Sequence, residues 1–218
     1  MRLILHGYAR GTSLTTPEDL HRAAALDTPA LEFDVCRSRH TGRPVLAHDT
    51  QAVTARSMSL DDALTYLGPT GKTVFIEPKE PDVVAEAIEC VVAHDMADRV
   101  VVFAFAPVAR AFPWRDRGPV KLGLVTVFPW NVERDIDRFR PDSIVVGWGS
   151  PWERYTFHAE KYLFRVGWRL FGLPAIVRRH PRVRFVVATL RSRRELGWLR
   201  RDAEALYGIV VDPSFLAP

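Results

Sequence analysis

Ala30-Leu31-Glu32-Phe33-Asp34-Val35 has the pattern of a short β-strand, with apolar residues at Leu31, Phe33 and Val35 and acids at Glu32 and Asp34. Alternate residues of a strand share a face, so both carboxylates point one way and Phe33 and Val35 the other. Two neighbouring acids repel and are costly to bury. A strand face in water carries them without cost. A divalent cation, which takes oxygen ligands, is the other solution. A second polar marker, His48-Asp49, follows soon after, at the end of Val45-Leu46-Ala47.

Outward from this run, apolar strand-like segments recur along the chain. Leu3 to His6, Ala30 to Val35, Thr73 to Glu77, Val100 to Phe105, Leu122 to Val127, Ser143 to Val146, Val183 to Ala188 and Gly208 to Val211 are the main ones. Helical patterns lie between most of them. Pro17 to Leu26 has Thr16 as a cap, Pro17 at the first position and acids in the first turn. Ser59 to Leu67, Pro81 to His94, Asn131 to Phe139, a span from 157 to 179, and Arg193 to Leu206 follow. Alternation of strand and helix predicts a parallel sheet, and eight such strands predict an α/β (β/α)8 barrel. An open doubly wound sheet ranks lower, because His6-Gly7-Tyr8-Ala9-Arg10-Gly11 lacks the GxGxxG turn.

The 218 residues suit one domain over 1–218, and an apolar fraction of 47% is enough for a globular core. The formal charge of +4, carried mostly by arginine, fits an anionic substrate or membrane surface and does not call for nucleic acid. Cys36 and Cys90 lack zinc-motif spacing and are expected as reduced, mostly buried thiols. With no secretory h-region and no apolar run of membrane-spanning length, a soluble cytoplasmic protein is expected.

In such a barrel, chemistry sits at the C-terminal ends of the strands. His6 ends the first, Glu32 and Asp34 the second, Glu77 and Lys79 the third, and His48 the short return strand after the second. Glu32, Asp34 and Glu77 offer carboxylate oxygens to Mg²⁺ or Ca²⁺. His6 and His48 suit a general acid and base, and Lys79 suits a phosphate oxygen. Together the set fits phosphodiester cleavage. Asp49 either orients His48 or caps its loop. His21, His40, His94, His158 and His180 show no partner pattern and are read as structural.

These residues resemble the glycerophosphodiester phosphodiesterase family of the PLC-like phosphodiesterase barrels. Its ordered motifs are a His-Arg-Gly after strand one, Pro-Glu-Asn, Glu-x-Asp-Val, His-Asp and Glu-x-Lys. Here His6-Gly7, Pro17-Glu18-Asp19, Glu32-Phe33-Asp34-Val35, His48-Asp49 and Glu77-Pro78-Lys79 stand in that order. Fainter echoes are Phe103-Ala104-Phe105, Ala188-Thr189-Leu190 and Val211-Asp212-Pro213. The resemblance implies a metal on Glu32, Asp34 and Glu77, an acid–base pair of His6 and His48, and a phosphate contact from Lys79. It also implies a substrate hydroxyl as the first nucleophile. Gly7 replaces the family's Arg, with Arg10 close by in sequence; Asp19 replaces an Asn and Ala188 a Trp. The alternatives are a phospholipase D-type enzyme of the same barrel group, and a catalytically dead barrel that binds phosphate or membrane.

Residues 148–180 depart from an ordinary barrel helix. Trp148, Trp152, Tyr155, Phe157, Tyr162, Phe164, Trp168 and Phe171 are interleaved with basic residues, and Lys161, Arg165 and Arg169 form one stripe at helical spacing. This composition suits either a lipid or subunit interface, or a folded-back loop with snorkelling arginines. Trp148 and Trp152 follow the sixth strand and are expected to line the substrate site, with a lysophospholipid or other lipid-linked phosphodiester as substrate.

Overall fold

The computed structural model describes residues 1–9, 12–116, 118–147, 172–190, 193–197, 199 and 203–215. The apolar runs form eight parallel strands: β1 (Arg2–Leu5), β2 (Ala30–Arg37), β3 (Thr73–Pro78), β4 (Val100–Phe105), β5 (Lys121–Thr126), β6 (Ser143–Gly147), β7 (Arg184–Leu190) and β8 (Gly208–Val211). Each pairs with the next in chain order. β1 pairs on one side with β8, Leu5 opposite Val211, and on the other with β2, Leu5 opposite Leu31. The sheet therefore closes, and closure removes the exposed edges an open sheet would leave. Pro44–Leu46 adds a short antiparallel strand to the end of β2, with Val45 opposite Cys36.

Among the described residues, the outer ring comprises α1 (Pro17–Ala25), α2 (Leu60–Leu67), α3 (Val84–Ala93), α4 (Ala106–Ala109), α5 (Val132–Phe139), α6 (Leu173–Arg179) and α7 (Arg193–Leu196). The expected caps form: Thr16 Oγ1 accepts from the Asp19 amide and Ser59 Oγ from the Asp62 amide. Three boundaries differ from expectation. Pro81–Val83 is a 3₁₀ turn leading into α3. The helix expected over 193–206 is α7 followed by a 3₁₀ turn at Ala203–Ala205, with Gly197, a weak helix former, just past α7. The short α4 was not legible as a helix, being a single turn with Pro107 near its start. Of the aromatic-basic stretch, only residues from 172 onward are described, and α6 opens after Gly172. Arg10, Trp148 and Trp152 lie outside the described residues. No helix among the described residues is long and apolar enough to cross a membrane.

Strand side chains divide by parity. Leu31, Phe33, Val35, Val74 and Ile76 face outward and pack with Leu20, Leu60, Leu64, Val84 and Val91. Ile144, Val146, Val187 and Ile209 do the same with Val132, Ile136, Leu173 and Ile176. The inward residues Ile4, Ala30, Phe75, Val101, Phe103, Val125, Val145, Val186 and Val210 fill the barrel. Phe75 and Phe103 meet edge to face at 6.1 Å. The N-terminal mouth is closed by Arg2, whose Nη1 donates to Thr73 Oγ1 at 2.9 Å and to the Tyr207 hydroxyl at 3.0 Å.

Gly7, just past β1, is fixed by contact. A Cβ there would lie 2.4 Å from the Glu32 carbonyl oxygen and 3.0 Å from Phe33 Cα, and neither backbone atom can swing aside. Gly7→Ala should therefore cost about 1–3 kcal/mol by overpacking, measured by urea unfolding.

Candidate active site

The site is a second storey built on the apolar floor of the barrel. Residues two apart on a strand share a face. Ile4 therefore places His6, Ala30 places Glu32 and then Asp34, Phe75 places Glu77, and Val210 places Asp212. Each first-named residue belongs to the inner core, and each later one stands at the C-terminal rim. Asp34 and Glu77 are register partners on adjacent strands. The His6 amide donates to the Val211 carbonyl at 2.9 Å, tying the exit of β1 to the end of β8. The Ala47 amide donates to the Asp34 carbonyl at 3.1 Å and brings the His48 loop over β2. The Lys79 amide donates to the Val35 carbonyl at 2.9 Å and holds the exit of β3 beside it.

One oxygen each from Glu32, Asp34 and Glu77 lies within 4.8 Å of the others, and all three residues are buried. Glu32 Oε2 accepts from the Gly7 amide at 3.0 Å and lies 3.8 Å from His6 Nε2. Lys79 Nζ bridges Asp34 Oδ1 at 2.7 Å and Glu77 Oε1 at 2.6 Å. His48 Nδ1 lies 2.7 Å from Asp34 Oδ2. His6 Nδ1 donates to Asp212 Oδ1 at 3.2 Å. Each histidine thus has a carboxylate on Nδ1, which fixes the ring and leaves proton exchange to Nε2.

One lysine among three buried acids leaves negative charge uncompensated. Burial and the Asp34 charge push Glu32 up to about 7. Burial, with the Asp34 and Glu32 charges added, outweighs Lys79 and pushes Glu77 up to about 7. Asp34 is also buried, but Lys79 and His48 overcome that and hold it below the ordinary carboxylate range. Burial opposes protonation of His6, yet Glu32, the Asp212 hydrogen bond and Asp34 outweigh it and raise the imidazole to about 9. Burial likewise opposes the charge on Lys79, and Asp34 and Glu77 reverse that and raise it.

His6, Glu32, Asp34, His48, Glu77 and Lys79 therefore converge. Asp49 caps the loop: its Oδ1 accepts from the Gln51 and Ala52 amides at 2.8 Å each. Asp34 orients His48. Cys36 is structural: its thiol donates to the Ala47 carbonyl at 3.3 Å, and burial pushes it up to about 12. Asp212, which the sequence offered only as part of the faint echo Val211-Asp212-Pro213, joins the site as the partner of His6. Its signal was the same two-residue step, from Val210 past the end of the last strand, that marks His6 and Glu77.

Glu32 and Glu77 hold protons in the folded chain up to about pH 7 that the unfolded chain releases near 4.5. The folded state binds more protons between those values, so stability falls as pH rises through that window and the loss persists above it. In EDTA, Glu32→Gln, whose amide oxygen still accepts from Gly7, should raise Tm at pH 8 by at least about 2–4 °C. It should leave Tm nearly unchanged at pH 4, as read by a thermal melt series.

No family model matches the chain, and no curated protein matches it in sequence. Solved structures match over nearly its whole length. A protein of Silicibacter pomeroyi described as a glycerophosphoryl diester phosphodiesterase is 16% identical at TM-score 0.68, covering 97% of this chain and 89% of that one. A glycerophosphodiester phosphodiesterase of Agrobacterium tumefaciens is 14% identical at TM-score 0.66, covering 98% and 97%. The N-(5'-phosphoribosyl)anthranilate isomerase of Pyrococcus furiosus is 12% identical at TM-score 0.55, covering 98% and 88%. At such identities the likeness is one of fold, and the chain is a (β/α)8 barrel.

Proposed function

We propose that this barrel is a metal-dependent phosphoric diester hydrolase acting on glycerophosphodiesters or lysophospholipids. The observation that carries the reading is the buried Glu32–Asp34–Glu77 cluster at the C-terminal rim, with His6 and His48 each held by a carboxylate beside it. Phosphodiesterases among the solved structures of the same fold support it.

The donor set fits a hard divalent cation, Mg²⁺ or Ca²⁺, because it is made of oxygen only and carries more negative charge than Lys79 offsets. Glu32, Asp34 and Glu77 would hold the ion. When bound, it supplies positive charge to phosphate oxygens as charge builds on them. His6, anchored through Nδ1, is placed to give the Nε2 proton to the leaving oxygen. His48, anchored on Asp34, takes the proton of the attacking hydroxyl, from the substrate or from water. One P–O bond forms and one breaks, and the proton taken at His48 balances the proton given by His6. Lys79 places its ammonium for a phosphate oxygen, and Arg10 is a second candidate for that contact.

The proposed substrate is apolar at one end. The aromatic-basic composition of residues 148–180, including Trp148 and Trp152, supports this. So do Phe128 and Trp130, exposed side chains that stack at 4.8 Å just beyond β5, at the same end of the barrel as the site. Peripheral contact with a lipid surface through these residues follows from the same reading.

Purified protein should hydrolyse glycerophosphocholine or lysophosphatidylcholine with Mg²⁺ or Ca²⁺ and not with EDTA. His6→Ala and His48→Ala should each lower kcat by about 10²–10⁴. Product masses identify the P–O bond broken and so separate the phospholipase D-type alternative. Metal-independent turnover, or turnover indifferent to both histidines, would sink the mechanism. Absence of turnover with either substrate would favour the phosphate-binding barrel. For the lipid part, Trp152→Ala and Arg165→Glu should slow the lysophospholipid and spare the water-soluble diester. Equal effects on both would remove the apolar subsite.

A further inference from the structure

A second cluster of ligating side chains lies on the outside of the barrel, on two neighbouring helices of the ring. Cys90 lies on α3 and His94 at its C-cap, four residues apart and so on one helical face. Asp61 comes from the first turn of α2, which packs alongside. His94 Nε2 lies 2.8 Å from Asp61 Oδ1, and Cys90 Sγ lies 3.9 Å from the same oxygen. The three ligating atoms all lie within 4.8 Å of one another. Asp61 and Cys90 border a groove of about 450 Å³ whose lining also includes Asp62, Glu86 and Glu89.

We propose that Asp61, Cys90 and His94 form a site for zinc or a similarly soft divalent ion, separate from the carboxylate cluster in the barrel mouth. Zinc bonds of about 2.0–2.3 Å in a tetrahedron place ligand atoms about 3.3–3.8 Å apart. The observed separations straddle that range, so shifts of about an ångström close the site. The 2.8 Å His94–Asp61 contact is a hydrogen bond whose proton the ion would replace. Three protein ligands leave a fourth position for water, and the groove beside Asp61 and Cys90 has room for it. The acidic lining residues Asp62, Glu86 and Glu89 favour a cation there, while Arg43, also in the lining, opposes it.

The donor types set the choice of ion. Thiolate and imidazole select zinc, cobalt and similar ions over Mg²⁺ and Ca²⁺, whereas an all-carboxylate set does the reverse. One chain thus offers two sites of opposite preference. The outer site links two helices adjacent in the ring, so its occupation bears on stability. The spacing that marks zinc motifs in sequence is absent, because the third ligand comes from a different helix.

The test is a Co²⁺ titration of the full-length protein in excess Mg²⁺, followed by Zn²⁺ displacement. We expect one equivalent of Co²⁺ to give thiolate-to-cobalt charge-transfer absorption that Zn²⁺ abolishes. Cys90→Ser and His94→Ala should lose the band. Cys36→Ser and Glu32→Gln should keep it. Asp61→Asn, which retains the hydrogen bond to His94, should weaken Co²⁺ binding by at least about tenfold. Zn²⁺ should raise Tm in the wild type and in Glu32→Gln alike. Absence of the band in the folded wild type, its persistence in Cys90→Ser, or its loss in Cys36→Ser or Glu32→Gln would overturn the proposal. The result does not depend on phosphodiester turnover.

Discussion

Three carboxylates held out of water at one end of a barrel are the constraint to which the surrounding structure answers. Left alone, that charge is too costly to bury. The fold meets part of it with Lys79, which bridges Asp34 and Glu77, and part with the Gly7 amide on Glu32. His6 and His48 take further shares. The remainder shows in Glu32 and Glu77, both pushed up to about 7. Gly7 belongs to the same constraint. The chain can turn over β2 and deliver its amide to Glu32 only because no Cβ stands between.

The division of labour within the barrel is a matter of parity. Outward residues of β1–β8 bury themselves under helices, and inward residues make an apolar floor with the polar storey above it. A one-residue slip of β2 would send Glu32 and Asp34 under the helices and Phe33 into the site. Closure through β1 and β8 fixes that register, and it brings Asp212 from the end of the chain to His6 at its beginning.

Much of this was legible in the sequence, because a period of two and strand-end placement are local signals. Glu32, Asp34, Glu77, Lys79, His6 and His48 each close an apolar run, and a parallel barrel gathers such residues on one rim. Asp212 closes a run as well, but its partner is His6, 206 positions away, and only barrel closure makes them neighbours. Asp49 was ambiguous for the opposite reason: two local amides donate to it. His94 and Cys90 carried no sequence signal, since Asp61 reaches them from another helix. Arg10, Trp148 and Trp152 were singled out by composition and position, and they lie outside the described residues.

The central claim is that the carboxylate cluster is built for a hard divalent cation. Its most direct test is calorimetric titration with Mg²⁺ and Ca²⁺ at pH 7 in buffers of different ionisation enthalpy. Glu32 and Glu77 are partly protonated at that pH in the metal-free protein. Binding should therefore release protons, visible as a buffer-dependent heat, and a Glu32→Gln, Glu77→Gln variant should lose both binding and proton release. Absence of binding by either ion, or binding unchanged in that variant, would contradict the account.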